Sequence, residues 1–142
     1  MNTNKKLTLL IDDDSTCNSI SKILLKRKFN FNSENEFEII SFNKPVEGLA
    51  FLKESLQQLK FQKILILLDI NMPLMSGWEF LVEFEHYFPE MTLEQTEVKI
   101  YILTSSVSRV DIDKAKENSN VEDLISKPLT TEIIERLYNV MA

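Results

Sequence analysis

A chain of 142 residues is the size of one domain with a full core. It carries 22 acidic against 16 basic residues, a net charge of −6, which argues against a broad phosphate-binding face for DNA or RNA. A single cysteine, Cys17, rules out an internal disulfide, and no apolar run approaches the roughly 18 to 20 residues that span a bilayer.

The N-terminus "MNTNKK" is polar and leads directly into an apolar run, so no signal peptide is read and a soluble, cytoplasmic protein is expected. "LTLLI" (7–11) is the first expected strand. Residues 15–29 follow as a helix, with Cys17, Ile20, Ile23 and Leu24 as its apolar stripe. "FNSENE" (31–36) reads as a polar loop and "FEIISF" (37–42) as the second strand. In "NKP" (43–45), Asn43 is a candidate N-cap and Pro45 an early helical position. Leu49, Leu52, Leu56 and Leu59 then recur at helical spacing. "KILILL" (63–68) is a third strand, apolar throughout, as a central strand covered on both faces should be. Gly77 opens a helix with Phe80, Leu81, Phe84 and Phe88 on one face. "PEMTLEQTE" (89–97) is a polar surface excursion before the fourth strand, "VKIYIL" (98–103). A short helix over 108–118, a fifth strand "VEDLIS" (121–126) and a last helix over 130–141 complete the chain. Strict alternation of five strands with five helices predicts an α/β fold: one doubly wound parallel sheet with helices on both faces, and a single domain over 1–142 with no output domain.

In such a sheet, ligands bind beyond the carboxyl ends of the strands, where the strand order reverses. The first strand ends in Asp12, Asp13 and Asp14, the third in Asp69, the fourth in Thr104 and Ser105, the fifth in Lys127. Carboxylates gathered at one rim repel, and some of their pKa values rise unless a cation neutralises them. Mg²⁺ suits such a rim, because it takes carboxylate and carbonyl oxygens and keeps company with phosphate. Lys127 adds a point charge for Asp69 or a phosphoryl oxygen, and Thr104 adds a hydroxyl donor. An aspartate beside the metal can attack phosphorus and form an acyl phosphate.

The motifs "IDDDS" (11–15), "LLDINMPLMSG" (67–77), "ILTSS" (102–106) and "SKPL" (126–129) resemble those of the receiver domain of two-component response regulators, over nearly the whole chain from Leu7 to Met141. The resemblance implies a flavodoxin-like fold with strand order 2-1-3-4-5, and a stand-alone, chemotaxis-regulator-like phosphoacceptor. It makes Asp69 the phosphoacceptor, Asp13 the direct acidic ligand of Mg²⁺ and Asp12 its partner through water. Asn71 lends its backbone carbonyl to the metal, Thr104 bonds the phosphoryl group and Lys127 forms the ion pair. Asp14 becomes a turn or cap residue, and the Lys127–Pro128 bond is often cis in the family. The expected partners are a sensor histidine kinase or histidine phosphotransfer protein and a downstream protein, with no nucleic acid and no membrane. Two positions depart from the family pattern. Leu124 stands where the family usually has Tyr or Phe, so a switch between Thr104 and Leu124 rests on packing. Ser76 replaces an acid and is expected to be a minor surface change.

Two other chemistries fit parts of the sequence. "DDDST" (12–16) satisfies the D-x-D-x-[ST] pattern of haloacid dehalogenase-like phosphohydrolases, with Asp12 as nucleophile and Asp14 as acid/base, but leaves Asp69 without a role. A flavodoxin-like FMN module would need a hydroxyl-rich phosphate loop where three acids stand. His86 is expected on the surface late in its helix, Trp78 and the Phe residues at 80, 84 and 88 in a core face, and Cys17 packed at the base of the first helix.

Overall fold

The structure is a computed structural model that describes residues 5–29, 36–88, 95–105 and 107–141. The polar loop expected from 31 and most of the excursion expected from 89 lie outside the described residues, as does Ser106. Strands β1 (Lys6–Ile11), β2 (Phe37–Phe42), β3 (Lys63–Leu68), β4 (Glu97–Thr104) and β5 (Val121–Ser126) alternate with helices α1 (Ser15–Phe29), α2 (Pro45–Gln57), α3 (Gly77–Tyr87), α4 (Arg109–Glu117) and α5 (Thr131–Met141). The strands form one parallel sheet in the order β2-β1-β3-β4-β5, as the resemblance implied. Each element matches its predicted span to within a residue or two.

Side chains alternate across the sheet and build two cores. On one face Leu7, Leu9, Ile11, Ile64, Ile66, Leu68, Ile100 and Ile102 meet Leu52 and Leu56 of α2 and Phe80, Leu81 and Phe84 of α3. On the other, Leu10, Leu65, Leu67, Tyr101 and Leu103 meet Leu25 and Phe29 of α1 and Ile134, Leu137 and Met141 of α5. The central position of β3 explains its composition, since residues 64–68 are all buried.

The register brings the carboxyl ends level. Ile11 lies opposite both Phe42 and Leu68, Leu68 opposite Ile102, and Thr104 opposite Ser126. Hydrogen bonding continues one residue past three of the strands. The amide of Asp12 donates to the Phe42 carbonyl at 3.2 Å, that of Asp69 to Ile11 at 2.9 Å and that of Lys127 to Thr104 at 2.8 Å.

Three local expectations need correction. The buried face of α1 is Asn18, Ser21, Leu25 and Phe29, whereas Ile20 and Ile23 are 52% and 54% exposed. The helix is rotated so that an amide, not the isoleucine stripe, faces the sheet. Asn43 does not cap α2: the N-cap is Lys44 without a side-chain bond, Pro45 takes the first helical position, and the Asn43 amide donates to Ser15 Oγ. Leu59 lies beyond α2 with φ of 50°, where Lys60 N donates to Ser55 O and Leu59 N to Leu56 O. These are the two bonds of a Schellman stop, in which a glycine is usual at the left-handed position.

One buried polar atom stands out in β1. Thr8 is 1% exposed and its hydroxyl has no hydrogen-bond partner among the described residues. A buried, unsatisfied hydroxyl costs roughly 1–3 kcal/mol. Thr8→Val keeps the β-branched shape and is expected to raise stability by about 1 kcal/mol. An increased urea midpoint at unchanged slope checks this; a lower midpoint would show that the hydroxyl is satisfied.

Candidate functional site

The rim of the sheet collects the residues that the sequence marked. Asp69 and Asp12 are each 5% exposed and Thr104 is fully buried, whereas Asp13 is exposed. One carboxylate oxygen from each of Asp12, Asp13 and Asp69 lies within 4.8 Å of the other two. Lys127, on the loop after β5, reaches across to Asp12 Oδ2 at 2.5 Å and stands 3.9 Å from Asp69 Oδ2. The ammonium therefore contacts Asp12 more closely than Asp69, the partner that the sequence emphasised. The Lys127–Pro128 peptide is cis.

Each acid is held by local geometry. The amide of Asn71 donates to Asp69 Oδ1 at 3.2 Å, and that of Asp14 to Asp12 Oδ1 at 3.0 Å. Asp14 Oδ1 accepts from the amides of Thr16 and Cys17, capping α1 as expected. The side chain of Asn71 donates to Thr104 Oγ1 at 3.2 Å, which ties the β3–α3 loop to the end of β4. Gly77 closes the loop after Asp69. Its amide donates to Ile70 O, and a Cβ there would lie 2.7 Å from the Asp69 carbonyl and from Ile70 Cα. Only glycine permits that approach.

Burial pushes the Asp69 pKa up from 3.8 to about 6, and the Asp12 charge adds to the rise. The Asn71 amide and Lys127 oppose it but do not cancel it. Burial also works against the charge on Lys127, yet Asp12 and Asp69 outweigh it and hold that ammonium above its ordinary value. Asp69 is thus a carboxylate short of positive charge, beside an acid pair that can hold a cation.

Two side chains have roles beyond those expected above. Ser76 is more than a surface change. Its hydroxyl accepts from the Glu79 amide while Glu79 Oε1 accepts from the Ser76 amide, a complete capping box that starts α3. The "SGWE" pattern carried that signal. Trp78 does pack against the core, but its indole N–H also donates to Asp111 Oδ1 of α4 at 3.3 Å, and Lys114 lies 5.6 Å from its ring centroid. Nothing local in the sequence predicts that α3–α4 link. Leu124 is half-buried against the core, beside a groove of about 510 Å³ that Val107, Ile112 and Ala115 also line. Cys17 is half-buried, and burial, followed by hydrogen bonding to Asp12 and the charge of that carboxylate, pushes its thiol up, which disfavours the reactive thiolate. His86 is on the surface, edge-on to Tyr87.

No family model matches the chain. Over 109 residues, 76% of its length, it is 32% identical to the transcriptional regulatory protein FlgR of Helicobacter pylori, and it spans 24% of that protein. A two-component response regulator from Cytophaga hutchinsonii superposes with a TM-score of 0.75 at 29% identity, covering 96% of each chain. The complex of CheX and CheY with BeF3 and magnesium from Borrelia burgdorferi matches with a TM-score of 0.63 at 17% identity, over 96% of this chain and 89% of that one. The sheet order and these structural matches are those of response-regulator receiver domains of two-component signalling. Among the described residues no helix is long and apolar enough to cross a membrane.

The raised Asp69 pKa has a stability consequence. A folded-state pKa of about 6 against an ordinary 3.8 means that the protonated form favours folding. That contribution is lost as pH rises from 3.8 through about 6. Asp69→Asn keeps the shape without the charge. In metal-free protein it is expected to add about 1–2 kcal/mol of stability at neutral pH and little at about pH 4. Thermal melts in chelator at both pH values test this; equal gains at the two would show that the Asp69 charge carries no penalty.

Proposed function

We propose that the chain accepts a phosphoryl group on Asp69, in a Mg²⁺-dependent reaction, from a phosphohistidine of a sensor kinase or phosphotransfer protein. Acetyl phosphate is a small-molecule substitute for that donor. The observation that carries this reading is the Asp69 carboxylate itself: buried at the end of the central strand, flanked by Asp12 and Asp13 and faced by Lys127. An all-oxygen donor set of three carboxylates suits a hard divalent cation, which the backbone carbonyl of Asn71 would join as a fourth oxygen. Magnesium, when bound, would neutralise the acids and the phosphoryl oxygens.

The chain's own residues account for the rest. Asp69 Oδ attacks phosphorus, the P–O bond forms as the P–N bond of the donor breaks, and the histidine nitrogen keeps the electron pair and takes up a proton. A pKa of about 6 leaves Asp69 mainly ionised at neutral pH, yet more basic than an ordinary carboxylate. Lys127 is near enough to leave Asp12 for a phosphoryl oxygen, and the Thr104 hydroxyl lies on the same rim. The role is that of a signalling protein; chemistry is limited to its own phosphorylation and dephosphorylation.

The phosphohydrolase alternative draws no support from the rim. Both oxygens of Asp12 are engaged, by Lys127 and by the Asp14 amide, and Asp14 is occupied in capping α1. An FMN module is no better served, because acids occupy the phosphate loop. We read residues 1–142 as one receiver unit, cytoplasmic, that signals by protein contact and does not itself bind nucleic acid. Output runs through α4, β5 and α5, where a movement of Thr104 would be followed by Leu124 into or out of the core. With no hydroxyl on Leu124, the change in partner affinity is expected at the low end of roughly 1–3 kcal/mol.

Incubation with acetyl phosphate and Mg²⁺ should raise the intact mass by one phosphoryl group, and Asp69→Asn should abolish the gain. Label on Asp12 would favour the phosphohydrolase. In Mg²⁺ titrations Asp13→Ala should weaken binding far more than Asp14→Ala, and comparable losses would sink the assignment of Asp13. Trp78, the one tryptophan, bridges α3 to α4, so phosphorylation should change its emission, and the change should vanish in Asp69→Asn. Phosphorylation that leaves emission unaltered would show that α4 does not respond.

A further inference from the structure

Asn18 is a polar residue on the buried side of α1, only 6% exposed, in a helix that leaves two isoleucines about half in solvent. Its placement has one visible return. Its side-chain Nδ2 donates to the Asp12 carbonyl at 2.8 Å and to the Phe42 carbonyl at 3.3 Å. The two donors of one amide group thus serve the ends of two strands. The Asp12 carbonyl lies just beyond Ile11, the last residue of β1 in register with β2 and β3. It would otherwise be a buried acceptor without a ladder partner.

That carbonyl belongs to the planar peptide that also carries the Asp13 amide. Pinning its oxygen fixes the plane from which Asp13 departs. On the other side of Asp13, the Asp14 amide is pinned to Asp12 Oδ1. Asp13 is exposed, so packing does not set its position; the main chain on either side does. We propose that Asn18 is a positioning residue of the rim: by holding the Asp12 and Phe42 carbonyls together, it sets the Asp12–Asp13 peptide and hence the spacing of the carboxylates that receive the cation. This rests on the reading of Asp12, Asp13 and Asp69 as a Mg²⁺ site.

The test compares Mg²⁺ binding by calorimetry in the wild type, Asn18→Leu and Leu25→Ala. Asn18→Leu is close in size and lacks both donors. Leu25→Ala opens a cavity on the same buried face of α1, away from the rim, and controls for lost stability. Residues that orient metal ligands typically change affinity 10- to 100-fold, so Asn18→Leu is expected to raise the Mg²⁺ dissociation constant about ten-fold. Leu25→Ala should bind as the wild type does, however much it lowers the melting temperature. An Asn18→Leu affinity within about two-fold of wild type overturns the proposal, as does an equal loss in Leu25→Ala. Should Asn18→Leu fail to fold, Asn18→Ser is judged by the same criteria. Wild-type protein that binds no Mg²⁺ would overturn the metal site and this inference together; binding retained in Asn18→Leu overturns the inference alone.

Discussion

The hydrogen bond from the Asp69 amide to the Ile11 carbonyl extends the central β1–β3 ladder by one residue. Everything at the rim depends on that extension. It carries the geometry of a strand into a residue that no longer has strand surroundings, so a carboxylate takes its place from a rigid lattice of peptides. The same device operates at Asp12, against Phe42, and at Lys127, against Thr104. Three charged side chains from distant parts of the chain are thereby fixed to one another by main-chain bonds. The electrostatics are then imposed. Asp12 and Asp69 are both buried, and one ammonium stands between them. A buried carboxylate that shares its counter-ion is a destabilising element by itself. The scaffold tolerates it because two apolar layers close over the rest of the sheet, including an entirely buried run from Ile64 to Leu68.

Much of this was legible in the sequence, for a physical reason. Alternating strand and helix periods, with a central strand apolar on both faces, leave few parallel arrangements, and parallel strands bring their carboxyl ends to one edge. Asp12, Asp13, Asp69, Thr104 and Lys127 could therefore be gathered without coordinates. The strand order needed the family resemblance. What could not be read is where hydrogen bonding overrides hydropathy. Helical spacing points Ile20 and Ile23 toward the sheet; the structure turns Asn18 and Ser21 there instead. Partial burial of two isoleucines forgoes part of the roughly 1.5–3 kcal/mol that full burial of each would give. The rotation is compensated by satisfied carbonyls at the ends of β1 and β2. Asn43 departs from its expected cap for the same reason, since its amide donates to Ser15 and α2 starts on Pro45. Local conflicts of this kind tend to gather at functional sites. In this chain they lie in the segments that flank the acids.

The links around Asp69 form a ring. Asn71 joins the β3–α3 loop to Thr104 at the end of β4. Gly77 seats the start of α3 against the Asp69 and Ile70 backbone. One residue later, Trp78 reaches Asp111 in α4, and Asp111 is itself bonded to the Ser108 cap of that helix. The β3–α3 loop is thus connected to α4 by two routes: through Thr104 and the chain that follows β4, and through α3 and the indole. A change at Asp69 that draws Thr104 away from Asn71 acts on the first route while the second holds its other end. Linked residues cannot move independently, so under the proposed function a response would be divided between a shift of α4 and a load on the Trp78–Asp111 bond. Leu124 supplies no hydroxyl that would lock either outcome. On the proposed reading, the resting and phosphorylated states would then be separated chiefly by how α4 packs on β5, beside the groove that Val107, Ile112 and Leu124 share.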